Sequence, residues 1–209
     1  MPPRPTLRIA EIFGSFQGEG LRAGEATIFV RLAGCNLRCP FCDTKGARRG
    51  GRPMSPGRVA AAALSLQRRW PASWVDITGG EPTLQDLGPL VDGLRAAGFS
   101  VQVETNGTGN LPPAVDWVSV SPKPPRYEAI PSLRGRASEV KLVATRDLTL
   151  AVVERLRREF PSRIPVVLQA QSNAPWSRAK AARLVRRAVR MGWTNVRLGL
   201  QLHRLYGFR

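Results

Sequence analysis

The sequence has few of the side chains that usually hold metal ions or disulfide bonds: its 209 residues include three cysteines and one histidine. All three cysteines lie within residues 35–42, and an odd number in one short stretch makes a poor disulfide framework. The histidine, His203, lies far along the chain from them, so no zinc-finger spacing is present. Three clustered thiols instead indicate a metal or cluster site in a reducing compartment.

Long apolar runs are also missing. No stretch of about 18 apolar residues occurs, so no transmembrane helix is expected. The first five residues carry one base, but no apolar segment follows them, so we expect no signal peptide. For 209 residues that are 43% hydrophobic, the simplest prediction is one buried domain over residues 1–209, in a cytoplasmic protein.

Acidic residues are scarce. There are 15 of them against 32 lysines and arginines, which gives a net charge of +17, and none follows Glu159. Such a charge attracts anionic partners, including nucleic acid. However, the bases are mostly scattered arginines without a lysine-rich tail or interleaved aromatic residues, as expected of a solvated surface. We therefore expect neither a nucleic-acid nor a membrane partner, and an anionic partner is the alternative.

Short apolar segments rich in Val and Ile alternate with helical segments, which predicts βαβ units and a parallel sheet. Ser55 or Pro56 can begin the first helix, Gly98 can end the second, and Asp147 and Ser177 can cap the other two. Residues 105–138 contain one strand and no convincing helix. The predicted strands are Thr27–Leu32, Trp74–Thr78, Ser100–Glu104, Asp116–Val120, Glu139–Val143, Pro165–Gln169 and Asn195–Leu200, and the predicted helices are Pro56–Trp70, Asp86–Ala97, Leu148–Phe160 and Ser177–Met191.

Glycines and polar residues follow the predicted strands at the points where the strands end. In a parallel sheet or barrel these carboxyl ends share one face, where such folds place their active sites. The convergence therefore predicts an enzyme rather than a passive binding module. The segments are residues 34–44, 78–82, 104–108, 121–123 and 169–172, with Gln201 and His203 after the last strand.

The cysteines are arranged as Cys35-x₃-Cys39-x₂-Cys42. Three thiolates leave one iron of a cubane cluster open, and a substrate-like molecule can chelate that iron through an amine and a carboxylate. A structural zinc ion would want a fourth ligand. The open cluster is therefore favoured, with zinc and three buried structural cysteines as alternatives.

The cysteine motif, with Phe41 inside its loop, resembles the signature of the radical S-adenosylmethionine superfamily. The segment 78–82, Thr-Gly-Gly-Glu-Pro, resembles the part of that superfamily that meets the amino group of the cofactor. Further segments resemble the 7-carboxy-7-deazaguanine synthase family, from about residue 9 to the C-terminus. The most specific are residues 17–20 (Gln-Gly-Glu-Gly) and 42–44 (Cys-Asp-Thr), and the others are residues 11–13, 29–35, 104–108, 121–123, 141–143 and 201–203.

The resemblance implies an α/β protein with an incomplete parallel (β/α)6 TIM-like barrel. It also implies a carbon–nitrogen lyase that turns 6-carboxy-5,6,7,8-tetrahydropterin into 7-carboxy-7-deazaguanine with loss of ammonia, on the route to queuosine. The implied cofactors are a [4Fe–4S] cluster, S-adenosylmethionine and Mg²⁺, and the implied radical takes a hydrogen from C6 of the pterin. A homodimer and a reductant such as flavodoxin are implied as partners.

The resemblance also implies roles for single residues. Cys35, Cys39 and Cys42 would be the catalytic cluster ligands, and Thr44 would bind Mg²⁺. The implied cofactor contacts are Phe41, Cys42, Asp43, Gly80, Glu81, Ser121, Pro122, Lys123, Gln169, Ala170, Gln171 and Ser172. The implied substrate contacts are Phe16, Gln17, Gly18, Glu19, Arg31, Thr78, His203 and Arg209.

Physical chemistry supports several of these roles and leaves alternatives open. Gln17 and Glu19 can match the donor–acceptor edge of a pterin, or form an exposed turn. Arg31 lies in an apolar strand and needs an anion, either a substrate carboxylate or Glu11 or Glu19. Thr44 could instead cap a helix, and His203 could be structural.

Two departures and two competing functions accompany the resemblance. Residue 170 is alanine where relatives often have proline, and Arg209 would place a cation beside the terminal carboxylate. A glycyl-radical activase would share the cysteines and Gly-Gly-Glu-Pro but would not need Gln17, Glu19 or Arg31. A zinc-containing nucleic-acid-binding module would fit the charge and the cysteines alone.

Overall fold

The strands join into one sheet. The computed structural model describes residues 6–208. The strand order is β3-β1-β2-β4-β5-β6-β7-β8-β9. The strands are β1 (Leu7–Phe16), β2 (Ala26–Leu32), β3 (Arg52–Met54), β4 (Trp74–Gly79), β5 (Ser100–Thr105), β6 (Trp117–Val120), β7 (Glu139–Val143), β8 (Val166–Gln169) and β9 (Val196–Gly199).

Every neighbouring pair from β2 to β9 is parallel, whereas β1 pairs antiparallel with both β2 and β3. Within residues 6–208 the edge strands β3 and β9 do not pair with each other, so the sheet stays open. The predicted α/β fold with an incomplete parallel barrel is confirmed. Its parallel part has seven strands, which match the seven strands predicted from the sequence, whereas the barrel implied by the resemblance has six.

The helices are α1 (Pro56–Gln67), α2 (Gly88–Ala96), α3 (Pro131–Arg134), α4 (Leu150–Glu159), α5 (Pro175–Arg190) and α6 (Leu202–Tyr206). Ser55 caps α1 as predicted, since its side chain accepts from the Arg58 N–H. Two predicted caps are wrong. Thr149 caps α4 in place of Asp147, and Ser177 lies buried inside α5, which begins at Pro175. Within residues 6–208, none of the helices is long and apolar enough to cross a membrane.

The two faces of the parallel sheet differ in chemistry. On β4, Val75 and Ile77 are fully buried in the apolar core. Asp76, between them, is equally buried but bonds to Gln17 and Gln102. Because side chains alternate along a strand, the apolar set packs outside the barrel and a polar set fills its interior. These polar side chains inside the barrel support the base of the candidate active site described below.

Four elements are absent from the sequence prediction. The strand β1 contains Gly14 and an irregularity between Ile9 and Glu11, which break its alternating pattern. The strand β3 has three residues, one of them Pro53. The helices α3 and α6 are single turns, too short to show a helical period, and α3 lies within the segment predicted to lack a helix.

Candidate active site

The carboxyl ends of the parallel strands surround an open cavity, as the sequence predicts. This first cavity contains about 920 Å³ not filled by atoms, part of it open to solvent. Residues 34–44, here called the cysteine loop, form one wall, and the ends of β4 to β9 form the others. The residues that line only this cavity include Cys35, Leu37, Cys39, Phe41, Cys42, Arg48, Gly79, Gly80, Asn106, Ser121, Lys123, Gln169, Gln171 and Ser172.

A second cavity adjoins the first. Three aromatic rings, Phe13, Phe16 and Phe29, contribute to its lining, and Phe13 and Phe29 stack with their centroids 5.1 Å apart. Its polar lining includes Glu11, Gln17, Arg31, His203 and Arg204. Five residues line both cavities: Glu19, Asp43, Thr44, Thr78 and Glu104. Ligands in the two cavities would therefore share one wall.

The cysteine loop leaves β2 and is held by backbone contacts. The Gly34 N–H donates to the Ala47 carbonyl at 2.8 Å, and the Arg48 guanidinium donates to the Cys39 carbonyl. All three cysteines are free and half-buried. Burial raises the pKa of Cys39, against the opposing effect of Lys123 and Arg48. The loop thus presents three thiols, and Lys123 and Arg48 offset part of the burial cost of the Cys39 thiolate.

The three cysteine sulfurs are not arranged as they would be around a single zinc ion. A zinc ion holds its sulfur ligands about 2.3 Å from itself, which brings them within about 4 Å of one another. Among residues 6–208, the only trio of Cys, His, Asp or Glu ligand atoms within 4.8 Å of one another is Glu19, Asp43 and His203. The three cysteine sulfurs are therefore not all within 4.8 Å of one another, as ligands of a single zinc ion would be.

Gly79 and Gly80 let two loops meet. A Cβ added at Gly79 would overlap the Leu32 carbonyl oxygen, and one at Gly80 would overlap the Gly34 carbonyl oxygen. The Glu81 N–H donates to the same Gly34 carbonyl at 2.8 Å. Only glycine allows this approach, so the pair fixes the 78–82 segment against the cysteine loop.

Glu81 is placed differently from its predicted cofactor contact. Its side chain is 1% exposed and its carboxylate accepts from the backbone N–H groups of Thr83 and Asn106 and from the hydroxyls of Thr83 and Thr105. Glu81 therefore lies behind the cavity wall and orders it, and a direct contact with the cofactor amine is not supported.

Asn36 connects the cysteine loop to the segment after β5. Its side-chain carbonyl accepts from Asn106 at 2.9 Å, and its amide donates to the Thr108 hydroxyl at 2.9 Å. Sequence reasoning assigned no role to Asn36. The only signal for such a role in the sequence is that Asn36 carries a side-chain amide within the cysteine motif.

The segment after β6 places a cation at the first cavity. Lys123 donates to the Ser121 hydroxyl, which donates in turn to the Lys141 carbonyl at 2.8 Å. Burial and the nearby Lys141 lower the pKa of Lys123. Both Ser121 and Lys123 line the cavity as predicted, whereas Pro122 is buried between them and is not part of the lining.

The turn after β8 reaches the first cavity in part. Gln171 and Ser172 line it, and Ser172 has a left-handed backbone with φ of 48°. Gln169 lines it too, but its amide donates inward to Glu19 at 2.8 Å. Ala170 is buried and does not line the cavity, so the structure gives it no direct contact with a ligand there.

Arg31 lies at the second cavity, where it has a protein partner and also hydrogen-bond donors left over for a ligand. Its Nε–H donates to Glu11 at 2.6 Å, so the predicted ion pair forms. Another donor is 3.5 Å from the Thr44 hydroxyl, which itself donates to Asp43 at 3.0 Å. A guanidinium has five donors, so donors remain for an anion in the cavity.

Gln17 uses its amide inside the barrel. Its NH₂ group donates to Asp76 at 2.7 Å and to Glu104 at 3.3 Å, and its carbonyl accepts from the Glu19 N–H. The side chain is 3% exposed. Its predicted direct match to a substrate edge is therefore not supported, because these bonds already occupy the amide.

Glu19 forms an ion pair with Lys141 at 2.9 Å. Amides of Gln169 and Gln201 also donate to its carboxylate, at 2.8 Å and 2.7 Å. Burial would raise the pKa of Glu19, but Lys141 and these donors together lower it to about 2. Glu19 is therefore a fixed anion in the wall between the cavities.

The C-terminal segment closes the second cavity. A Cβ at Gly18 would overlap the His203 ring, and the Leu202 N–H donates to the Gly18 carbonyl at 2.8 Å. The predicted positions Phe16, Gly18 and His203 thus meet at this cavity. The predicted substrate contact Arg209 lies outside the described residues.

Sequence reasoning assigned no role to Asp76, Glu104 or Lys141. Lys141 donates to Glu104 at 2.8 Å and so connects β7 to β5. Burial and the neighbouring Glu104 raise the pKa of Asp76 well above its ordinary value. Their signal is the presence of ionisable residues inside otherwise apolar strands, where a charge without a partner is costly.

Comparison with known proteins agrees with this geometry. Residues 29–176 match the Radical SAM superfamily. The fold and the cysteine loop thus define a radical SAM enzyme.

The 7-carboxy-7-deazaguanine synthase of Methanospirillum hungatei is 36% identical, over 96% of this chain and 86% of that protein. The one from Synechocystis is 32% identical, over 96% and 93%. The crystal structure of QueE from Escherichia coli matches with a TM-score of 0.78 and 29% identity, over 95% of each chain. The chain belongs to the 7-carboxy-7-deazaguanine synthase family.

Proposed function

We propose that this protein, acting as a single domain, converts 6-carboxy-5,6,7,8-tetrahydropterin into 7-carboxy-7-deazaguanine and ammonia. The observation that carries the proposal is the pair of adjoining cavities. One is lined by the cysteine loop, and the other by Arg31 and three aromatic rings. Because the two cavities adjoin and share lining residues, a cofactor in one and a flat, carboxylated substrate in the other would lie next to each other.

The residues of the first cavity fit the expected cofactors. Cys35, Cys39 and Cys42 would hold the [4Fe–4S] cluster. When bound, the cluster supplies the electron that splits S-adenosylmethionine into methionine and a 5′-deoxyadenosyl radical. Gly79 and Gly80 let the backbone approach the cofactor, and Lys123 offers a cation for its carboxylate.

The residues of the second cavity fit a pterin. Phe13, Phe16 and Phe29 provide apolar faces for a flat ring. Arg31 would hold the substrate carboxylate with the donors that Glu11 does not use. Glu104 offers a carboxylate at the wall, where its Oε1 already accepts from Lys141. Fixing the substrate between these groups, away from bulk water, is the main contribution of the chain.

Mg²⁺ belongs to the same proposal. Thr44 offers a hydroxyl oxygen beside Asp43, and both line the shared wall. Magnesium favours oxygen ligands and keeps several waters, so one hydroxyl plus the substrate carboxylate is a reasonable ligand set. The homodimer and a flavodoxin-like reductant are proposed on the resemblance, and light scattering on the purified protein tests the dimer.

Anaerobic turnover tests the function. Reconstituted protein with S-adenosylmethionine, Mg²⁺, the carboxytetrahydropterin and a chemical reductant for the cluster should give 7-carboxy-7-deazaguanine, detected by mass spectrometry. Cofactor cleavage with no deazapurine product would favour another radical enzyme, such as a glycyl-radical activase. A colourless protein with stoichiometric zinc would favour the nucleic-acid-binding alternative.

A further inference from the structure

Two glutamine amides inside the barrel connect Asp76 on β4 with Glu104 on β5. The Gln17 NH₂ group donates to Asp76 Oδ2 at 2.7 Å and to Glu104 Oε1 at 3.3 Å. The Gln102 NH₂ group donates to the same two oxygens, at 3.2 Å and 3.5 Å. An NH₂ group has two hydrogens, so each amide can give one hydrogen to each carboxyl group. Asp76 and Glu104 are therefore joined twice.

The orientation of both amides is fixed at their carbonyl ends. The Gln17 carbonyl accepts from the Glu19 N–H at 3.0 Å, and the Gln102 carbonyl accepts from Arg22 at 2.6 Å. A backbone N–H and a guanidinium are donors only, so neither could bind an NH₂ group. The NH₂ groups must therefore point towards Asp76 and Glu104, and an amide that turned over would lose bonds at both ends.

Glu104 uses one of its two oxygens inside the barrel. Its hydrogen bonds with Gln17, Gln102 and Lys141, all of those that it makes within residues 6–208, go to Oε1. The side chain is 22% exposed and lines both cavities. The second oxygen, Oε2, is therefore available to accept a hydrogen bond from a ligand at the shared wall.

Asp76 is fully buried and suited to a neutral state. Its other oxygen, Oδ1, is buried and has no hydrogen-bond partner in the part of the chain that the structure describes. An ionised carboxylate would leave a charged oxygen there without a donor, which is costly away from water. Burial, and after it the charge of Glu104, raise the pKa of Asp76 well above its ordinary value. A neutral Asp76 can lie beside Glu104 without repelling it.

Asp76 lines neither cavity, so it would act on a ligand only through other residues. We propose that Asp76 is a positioning residue for the substrate: through the amides of Gln17 and Gln102 it holds Glu104 so that Oε2 meets an N–H donor of the pterin. Without Asp76, both NH₂ groups would have Glu104 as their only acceptor and would draw its carboxylate away from the wall. This inference rests on the proposed function, because the pterin is the ligand that Glu104 would meet.

The experiment compares Asp76→Ala with Val75→Ala. Val75 is the preceding residue on β4 and is fully buried in the apolar core outside the barrel. Both substitutions remove buried atoms from the same strand and lower stability, but only Asp76→Ala takes an acceptor from the amides. A third variant, Asp76→Asn, keeps a carbonyl oxygen for both NH₂ groups and tests rescue by a conservative change.

Binding and turnover are measured separately. Fluorescence titration with 6-carboxypterin, a fluorescent oxidised relative of the substrate, gives the affinity of the second cavity. Anaerobic turnover with a chemical reductant gives the KM for S-adenosylmethionine and the amount of deazapurine formed per 5′-deoxyadenosine. A role of Asp76 in stability alone would leave this ratio unchanged in the folded protein.

We expect Asp76→Ala to lose about tenfold or more in affinity for 6-carboxypterin, as expected for loss of one hydrogen bond to a charged group. Deazapurine formed per 5′-deoxyadenosine should also fall about tenfold or more, because a misplacement of about 1 Å can cost about 100-fold in rate. The KM for S-adenosylmethionine should stay near that of the parent. Val75→Ala and Asp76→Asn should match the parent in all three measurements, and an Asp76→Ala variant that also matched it would overturn the proposal.

A double variant tests whether Asp76 acts through Glu104. In protein that already carries Glu104→Gln, adding Asp76→Ala should change the affinity and the product ratio little. Effects that multiply would show that the two residues act independently, which would also overturn the proposal.

Two further points keep the outcome clear. If Asp76→Ala does not fold, Asp76→Leu fills the space of the carboxyl group without offering an acceptor and should show the same losses. Failure of the proposed function would appear separately, as absence of deazapurine product from the parent protein.

Discussion

Gly80 and Glu81 act at the residue scale through their immediate neighbours. Gly80 touches the Gly34 carbonyl, and the Glu81 carboxylate collects donors from Thr83, Thr105 and Asn106. Together they lock the wall of the first cavity to the cysteine loop. Their first effect is therefore on the geometry of the cysteines.

Replacing Gly80 by alanine should disrupt that wall. The added Cβ must displace the Gly34 backbone, and overpacking of this kind costs about 1–3 kcal/mol. We expect a lower urea midpoint and a lower iron-to-protein ratio after reconstitution. The control is Gly57→Ala, where a Cβ meets open space in the first turn of α1 and alanine favours the helix. Equal iron content in both variants would contradict the prediction.

Thr44 should govern the response to magnesium. If its hydroxyl binds the ion, Thr44→Ala should raise the Mg²⁺ concentration for half-maximal activity about tenfold or more. The KM for S-adenosylmethionine should change little. The measurement is a Mg²⁺ titration of anaerobic turnover at saturating cofactor, and an unchanged titration curve would exclude Thr44 as a ligand.

Asp76 should make stability fall with rising pH. Burial, then Glu104, raise its pKa, so the folded state holds this proton more tightly than the unfolded state. The stabilisation that the bound proton of Asp76 contributes is fully present below about pH 4. It is lost as pH rises through the pKa of Asp76 in the folded state. Asp76→Asn keeps an acceptor for Gln17 and Gln102 and removes the titration. We expect urea midpoints for this variant that decline less between pH 5 and 9, and a steeper decline would contradict this assignment.

At the scale of elements, loops from distant strands hold the site together. The cysteine loop follows β2, Gly79 and Gly80 lie at the end of β4, and the segment that begins with Asn106 follows β5. These loops contain little regular secondary structure. Hydrogen bonds from one loop to another therefore hold them in place. Losing one such connection should loosen the cysteines while the barrel stays folded.

Asn36→Ala removes the bonds to Asn106 and Thr108. We expect the thermal midpoint to change little, since the side chain is exposed and outside the sheet. Iron release to a chelator should become several times faster. Asn110→Ala is the control, because Asn110 is also exposed but bonds only to Ser132 among the described residues. Similar release rates in the two variants would show that the Asn36 connection is unimportant.

At the scale of the whole molecule, the charge of +17 is the dominant feature. The described ion pairs join few of the bases, and α5 carries several arginines without an acidic partner. A large net charge destabilises the compact state through self-repulsion. Salt should weaken that repulsion, whereas the buried pair of Lys141 and Glu19 is screened much less.

The thermal midpoint should therefore rise when NaCl increases from about 20 mM to about 300 mM, a range over which the Debye length shortens severalfold. Differential scanning calorimetry measures it. The variant Arg183→Glu/Arg186→Glu/Arg190→Glu should respond less, because its net charge is lower. A midpoint that falls with salt in the parent would mean that exposed ion pairs outweigh the repulsion.

Much of the fold and part of the site could be predicted from the sequence. The seven parallel strands have short apolar patterns, and the cysteine motif and glycine pair are local in the chain, so their spacing is visible directly. The strands β1 and β3 could not be predicted, because an irregularity and a proline hide their pattern. The capping errors at Asp147 and Ser177 arose because a nearby residue began each helix instead.

The sequence by itself determined the thiol loop, the strands that lead to one face and the family. The tertiary structure alone decided what each polar side chain contacts. Glu19 bonds to Gln201, 182 positions away, and Gln17 turns inward to Asp76. The physical reason is that a carboxylate or amide takes its role from the donors and acceptors around it. Those neighbours come from distant strands, so only the folded chain assembles them.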